Sequence, residues 1–523
     1  MITGGQTMKK IAKITGVMLA VIMALSCFVL PAWAAGESSL TIRIYDDFAV
    51  VTSCTSTASG TIDIPSTYSG VSVTHIGNGA FSGCTRITEV NIPASVTDVG
   101  SNAFDGCDML KTVNFAGDTV GIASAAFNNC TSLESINLPS KLKAIPERMF
   151  YGCSSLASIE IPSTVTSIGK EAFGICKSLE AVSIPAAVTS IDKNAFIGCS
   201  KVSAYNVASG NTVYSSSGGV IYGSYKSVKA LIQYPGAKTQ TSYTVASGTK
   251  AIADYAFGDN AYLTKITLPS GLVTIDDFAF YNCKKLADIT IPSSVTTLGS
   301  QSFGRCAALK SITIPANVDT FESAFYMSGL ESVVIENGVE TIGIKAFENC
   351  TSLKSVTIPA SVKTIDIGAF YGCTALENLT VPATVKTVNR GAFQGCDNIT
   401  LWVESGSAAH TYAVNNSVDY EIGTYESEKT VKSISVLKLP NKTSYNYKDT
   451  LDTTGLELSV SYTDGTSETV KSGYEVTPTK LSKTGSQVIT VTYEDCTATF
   501  SVDVSYSLIQ WIIMIFLLGF LWY

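Results

Sequence analysis

The stretch IPSTVTSIGKEAFGICKSLEAVSIP, residues 161–185, decides the fold. It holds one complete copy of a unit in which Phe173 stands three residues before Cys176, Leu179 follows, and Val182 and Ile184 alternate with small residues up to Pro185. Working outward, Cys84, Cys107, Cys130, Cys153, Cys176 and Cys199 are each 23 residues apart, as are Cys283 and Cys306, and then Cys350, Cys373 and Cys396. Phenylalanine precedes each of these cysteines by three residues, and Phe257 and Phe325 fill the same place without a cysteine, which makes thirteen copies. A fixed period of this length is the mark of a solenoid, in which each turn buries its apolar side chains against its neighbours.

The apolar spacing L-x-x-L-x-L, as in Leu133, Ile136 and Leu138, alternates in its second half like a strand with one face buried, and the following proline ends it by removing a ladder donor. Each turn therefore contributes one short parallel strand and an irregular return carrying the Ala-Phe pair. Fourteen cysteines in an exported chain would suggest a disulfide framework, but their even period predicts a column of small buried residues beside the phenylalanines. Stacked neighbours also lie within disulfide range, so oxidation is left open, and Cys54 and Cys496 stand alone.

The repeated unit resembles that of BspA-type leucine-rich-repeat surface proteins. The resemblance covers about residues 40 to 422 and implies a parallel β-solenoid at the bacterial surface, often an adhesin. Three departures stand out. Between Cys199 and Cys283 the period is stretched, Asn260 replaces the cysteine, and Val207–Lys250 reads as an inserted hairpin carrying Tyr214, Tyr222, Tyr225, Tyr234 and Tyr243. Near Phe325 the cysteine is missing, and Gly329 is read in its place. Ala116 stands where the proline belongs. From Val431 the period gives way to alternating runs such as Gln487–Tyr493, with Asp464-Gly465 as a hairpin turn, and this part resembles the third group of bacterial immunoglobulin-like domains.

The expected organisation is mainly β: a leucine-rich-repeat parallel β-solenoid of about thirteen 23-residue repeats with a small immunoglobulin-like β-sandwich. Residues 1–34 read as a signal peptide, from Lys9, Lys10, Lys13, an apolar run and Ala32-Trp33-Ala34; Cys27 is a poor lipid-attachment site, and Met8 is the more natural start. An N-terminal cap is expected over 35–80, repeats over 81–403, and a C-terminal cap with a short helix over 404–422. A linker over 423–430 leads to the sandwich over 431–504, and 505–523 form an apolar tail. That tail, Leu508 to Tyr523, suits membrane or cell-wall contact, with a buried final strand or helix as the alternative.

Only 15% of residues are charged, mean hydropathy is +0.26 and the net charge is −8, which disfavours disorder and nucleic-acid binding. His75 and His410 are the two histidines, no Cys-x-x-Cys occurs, and Gly218-Gly219 lacks a following Lys-Ser/Thr. Asp46-Asp47 and Asp276-Asp277 are adjacent pairs whose side chains would diverge in a strand. No catalytic residue, metal ligand or cofactor is therefore expected. The outward position of each strand forms a candidate contact ladder: Asn91, Asn114, Asn137, Glu160, Ser183 and Asn206, then Thr267, Thr290, Thr313, Val334, Thr357 and Thr380. The five tyrosines of the insert are a second candidate patch, since exposed aromatics dominate binding energy. The expected function is adhesin-like recognition of a protein or glycan on a host or another bacterium by an exported, surface or extracellular protein. The alternative is an architectural envelope protein without an external ligand.

Overall fold

One coil shows why the repeat folds as it does. Pro162 opens a tight turn in which its carbonyl accepts the Val165 amide at 3.0 Å. Ser167–Ile168 then pair in parallel with Ala144–Ile145 on one side and Ser190–Ile191 on the other. At the corner, Glu171 and Ile175 adopt positive φ (53° and 58°) on either side of Phe173. The chain next runs into Ala181–Ile184, whose Val182 and Ile184 are buried while Ala181 and Ser183 face outward. The second left-handed position explains the Gly-Cys pairs, because Gly83, Gly106, Gly152 and Gly198 occupy it in other coils and glycine adopts that conformation without strain.

In the computed structural model, residues 39–319, 321–424, 431–462 and 467–519 are described. The expected signal peptide, Cys27, the Asp464-Gly465 turn and most of the expected linker lie outside them. The protein is mainly β, 4% helical, with a solenoid of about 16 turns followed by an immunoglobulin-like sandwich. It divides into two compact units, the first running to Lys285 with Gly299–Phe303, the second comprising Leu286–Leu298 and the chain from Gly304.

In the first unit the hairpin Leu40–Tyr45 and Phe48–Cys54 covers the start of the solenoid, and Phe48–Cys54 pairs in parallel with Val71–Ile76. The rings of Phe81, Phe104, Phe127, Phe150, Phe173 and Phe196 then stack with centroids 4.7–5.8 Å apart. Each buried ring contributes about 1.5–3 kcal/mol. Alanine beside the ring lets backbones approach, so that Phe104 N donates to Ala126 O at 2.8 Å and Phe173 N to Ala195 O at 2.8 Å. The cysteines fill the column as free thiols and donate to the carbonyl of a phenylalanine in the neighbouring coil: Cys130 to Phe104 at 3.1 Å, Cys176 to Phe150 at 3.1 Å and Cys199 to Phe173 at 3.0 Å. Among the described residues no cysteine is in a disulfide.

The column breaks after Phe196, whose ring tilts against Tyr205 instead. Tyr214–Ser217, Val220–Tyr225 and Val228–Gln233 form an antiparallel meander. Its last strand pairs in parallel with Ala251–Ile252, so the meander grows out of the solenoid's own ladder. From Val228 to Lys250 the chain is a further coil. Tyr234 occupies the phenylalanine place, stacks on Phe257 at 5.0 Å and donates its amide to Ala256 O at 2.8 Å. Asn260, in the cysteine's place, is buried and accepts the amides of Tyr262 and Leu263 at 3.0 and 2.8 Å.

In the second unit Phe325, Phe347, Phe370 and Phe393 stack at 5.4–5.5 Å. The residue filling the missing cysteine's place is Ser328 and not Gly329. Ser328 is buried, its amide bonds Phe325 O at 3.0 Å and its hydroxyl lies 3.3 Å from Cys350 Sγ. The helix Ala408–Asn416 starts at Ser407, whose hydroxyl accepts the His410 amide. It sets Tyr412 edge-on against Phe393, closing the column with an aromatic ring.

The immunoglobulin-like part pairs Val431–Lys438, Glu457–Tyr462 and Ser467–Val470 in one sheet. The other holds Ser444–Asn446, Cys496–Ser505, Gly485–Tyr493 and Glu475–Thr477. Its core includes Leu458, Val460, Ile489, Val491, Phe500 and Val502. The helix Leu508–Gly519 follows, exposing Leu508, Ile509, Ile513, Ile515, Phe516 and Leu517. Among the described residues no helix is long and apolar enough to cross a membrane.

Candidate binding surface

Core, corner and ladder hydrogen bonds use almost every residue of a coil, which leaves the outward strand positions as its regular display. In the first unit these begin with a polar chain. Asn91 Nδ2 donates to Asp63 Oδ1 at 2.7 Å, and Asn114 Nδ2 donates to Asn91 Oδ1 at 2.8 Å and to Glu89 Oε1 at 2.9 Å. Ile64, Ile92, Pro93, Phe115 and Ala116 line a shallow groove beside it. Two carboxylates and two carboxamides thus stand next to an apolar trough, a combination suited to hydroxyl and amide donors.

Asn137 does not continue this chain. Its carboxamide turns aside to accept the Phe115 amide at 2.9 Å and donate to Phe115 O at 3.0 Å. The side chain thereby takes the part of a ladder partner at the coil where Ala116 replaces proline. Glu160, Ser183, Asn206 and Thr267 are exposed, with Ser183 opposite Asn206. In the second unit Thr290, Thr313 and Thr357 are exposed, and Thr313, Val334 and Thr357 are direct neighbours across three strands. Thr380 is half-buried and lies opposite Trp402, whose indole Nε1 donates to Asn378 Oδ1 at 3.0 Å. Trp402 lies outside the expected ladder because it stands six residues after Cys396 where the other outward residues stand seven after their cysteines, yet it holds the alternate place between Leu401 and Val403. A half-buried tryptophan on an open face is the residue type that most often anchors an interface.

The tyrosines of the meander are chiefly its core. Tyr214, Tyr222 and Tyr234 are buried, and Tyr225 and Tyr243 half-buried. The Tyr214 hydroxyl accepts the Ile191 amide at 2.9 Å, Tyr222 and Tyr243 share a hydroxyl contact at 2.6 Å, and Tyr225 donates to Asp254. Tyr214, Tyr222 and Tyr234 cannot touch a partner without unfolding the insert, so the five tyrosines form no continuous exposed aromatic patch.

The chemistry of the remaining titratable groups fits a scaffold. Burial pushes the Cys153 and Cys176 thiols well above their ordinary range and Cys199 up to about 12, so these thiols stay neutral and unreactive. His75 lies 2.7 Å from the Thr74 hydroxyl and 3.6 Å from Asp98 on the first unit, and His410 accepts the Gly406 amide at 2.9 Å within the helical cap.

The chain is similar to a leucine rich cell surface protein from Faecalibacterium prausnitzii A2-165, with 27% identity over 71% of this chain and 98% of that one and a TM-score of 0.50. A leucine-rich repeat protein from Eubacterium ventriosum ATCC 27560 is 27% identical over 69% of this chain and 93% of that one, with a TM-score of 0.52. No curated protein matches. Residues 439–504 match the bacterial Ig-like domain (group 3). The BspA type leucine rich repeat region matches over 61–215, 236–343 and 320–436, leaving out most of the meander. With most of its length accounted for by that repeat, the chain belongs to the BspA-type leucine-rich-repeat family.

Proposed function

We propose that this chain is a non-enzymatic recognition protein exported to the bacterial surface, binding a protein or glycan through the open strand faces of its solenoid. The observation that carries this reading is the polar chain of Asp63, Asn91, Asn114 and Glu89 beside an apolar groove, displayed while the thiols and rings are committed to the core. The cell-surface description of the Faecalibacterium relative supports the location. Trp402 beside Thr380 offers the second unit's anchor.

The test is binding of the purified chain without residues 1–34 to arrays of matrix proteins and glycans, alongside the double variant N91A/N114A and the variant W402A. Saturable binding weakened at least about tenfold by either variant is expected for a hot-spot residue. A well-folded chain that binds nothing but self-associates in sedimentation would favour an architectural envelope role. The exposed apolar helix Leu508–Gly519 favours that second reading, because such a face suits contact with membrane or wall.

A further inference from the structure

Beside the meander, three carboxylates converge from two successive coils. Asp254 and Asp277 hold the same place in their repeats, 23 residues apart, and Asp276 precedes Asp277. In a strand adjacent side chains diverge, but the strand ends at Ile275 and the chain is already turning into the corner. There one oxygen from each of Asp254, Asp276 and Asp277 lies within 4.8 Å of the others. Oxygens on opposite sides of one calcium ion are about 4.8 Å apart, twice the usual bond of about 2.4 Å, so a single ion can touch all three. Asp276 is 6% exposed, and its Oδ2 has no hydrogen-bond partner among the described residues. A buried carboxylate oxygen left bare is costly, and Asp276 is the one carboxylate among the buried unpartnered side chains of the described residues, the others being neutral hydroxyls and carboxamides.

The place already attracts a cation. Lys226 reaches in from the turn between Val220–Tyr225 and Val228–Gln233 and sets Nζ 2.7 Å from Asp276 Oδ1. Its side chain is 61% exposed, so it can leave into solvent without unfolding its strands. Two lysines, Lys226 in contact and Lys193 acting on Asp254, against three carboxylates leave the site negative. The remaining neighbours are the Tyr225 hydroxyl, which donates to Asp254, and Lys193, whose charge also acts on Asp254. Asp277 Oδ1 accepts the Ser300 amide at 2.8 Å, which fixes that carboxylate.

We infer that Asp254, Asp276 and Asp277 form a calcium-class divalent-cation site, held by Lys226 in the ion's absence, that ties the meander's neighbouring coils together. Calcium suits a site of several carboxylates in loose geometry, whereas magnesium demands near-octahedral geometry and keeps its waters.

The purified full chain, stripped with a chelator, is titrated with calcium chloride and separately with magnesium chloride by calorimetry, and melted with and without calcium. One saturable calcium site is expected, in the range of about 10⁻⁴ to 10⁻³ M found for extracellular modules, with weaker magnesium binding and a melting temperature that rises with calcium. D276N should weaken calcium at least tenfold with an unchanged circular dichroism spectrum. K226Q keeps all three carboxylates, removes the competing ammonium and should tighten binding. Absence of saturable calcium binding by the unaltered chain, binding that D276N leaves unchanged, or magnesium bound as tightly as calcium would each overturn the assignment.

Discussion

The coils from Phe81 to Phe196 and the stretch from Tyr205 to Asn260 belong to the same unit, but the meander interrupts the 23-residue period in the second, and the two reach a closed core by different chemistry. In the first run a phenylalanine, an alanine and a cysteine recur, and each thiol gives a second hydrogen bond to the phenylalanine carbonyl of the neighbouring coil, which already accepts that coil's own cysteine amide. In the second, Tyr234 takes the ring's place, and Gln233 Nε2 donates to Tyr234 O at 3.3 Å, the carbonyl that a thiol serves elsewhere. Asn260 then uses its side-chain oxygen for the Tyr262 and Leu263 amides. What the coil conserves is therefore the accounting of backbone donors and acceptors more than the residue types.

The largest expected effect lies in the regular run. Phe173→Ala should cost about 3–5 kcal/mol, read from denaturant unfolding, because the ring is fully buried between two others and the cavity cannot collapse. An unchanged unfolding midpoint would remove the ring column as the source of cohesion. In the irregular stretch, Asn260→Ala should cost about 1–3 kcal/mol by stripping the buried Leu263 amide and the part-buried Tyr262 amide of their acceptor. A loss below that range would mean that the amides find other partners.

Alkali separates the two regions by a different route. The Cys199 thiol is raised from 9.0 to about 12 by burial, so the folded state keeps a proton that the unfolded chain releases. Stability from that thiol is intact below about 9 and falls as pH rises towards 12, by about 1.4 kcal/mol per pH unit. Cys153 and Cys176 act in the same direction. Melting temperatures from pH 8 upward should therefore drop in the unaltered chain and drop less in Cys199→Ala. Equal slopes would show that the thiols do not carry the alkaline loss.

The smallest effect is a gain. Ile175 holds φ at 58° where glycine stands in six other coils, and a β-branched residue there costs about 1–2 kcal/mol. Ile175→Gly should raise stability by about 1 kcal/mol after the flexibility of the unfolded glycine is offset. A loss on thermal melting would mean that the half-buried isoleucine's packing outweighs its backbone strain.

Much of this architecture was legible in one dimension. The period places the thirteen column phenylalanines and their eleven cysteines, because stacked coils repeat the same environment at a fixed chain interval, and alternation plus composition marks the change to a sandwich at Val431. The display positions were legible for the same reason, since a strand with one face buried turns its alternate residues outward. Trp402 follows that rule as well, but it stands one residue closer to its cysteine than the other outward residues do, and no proline closes its strand.

What the sequence by itself determined is the repeat and its core, both of which depend on residue type and interval. Tertiary structure alone decided that Tyr234 is a column ring, that Asn137 turns into its own ladder, and that the meander buries its tyrosines. It also decided that Asp254, Asp276 and Asp277 meet beneath Lys226. Those contacts join residues up to 50 positions apart through the stacking of neighbouring coils and the folding back of a meander, and no local pattern encodes which side chains such a return brings face to face.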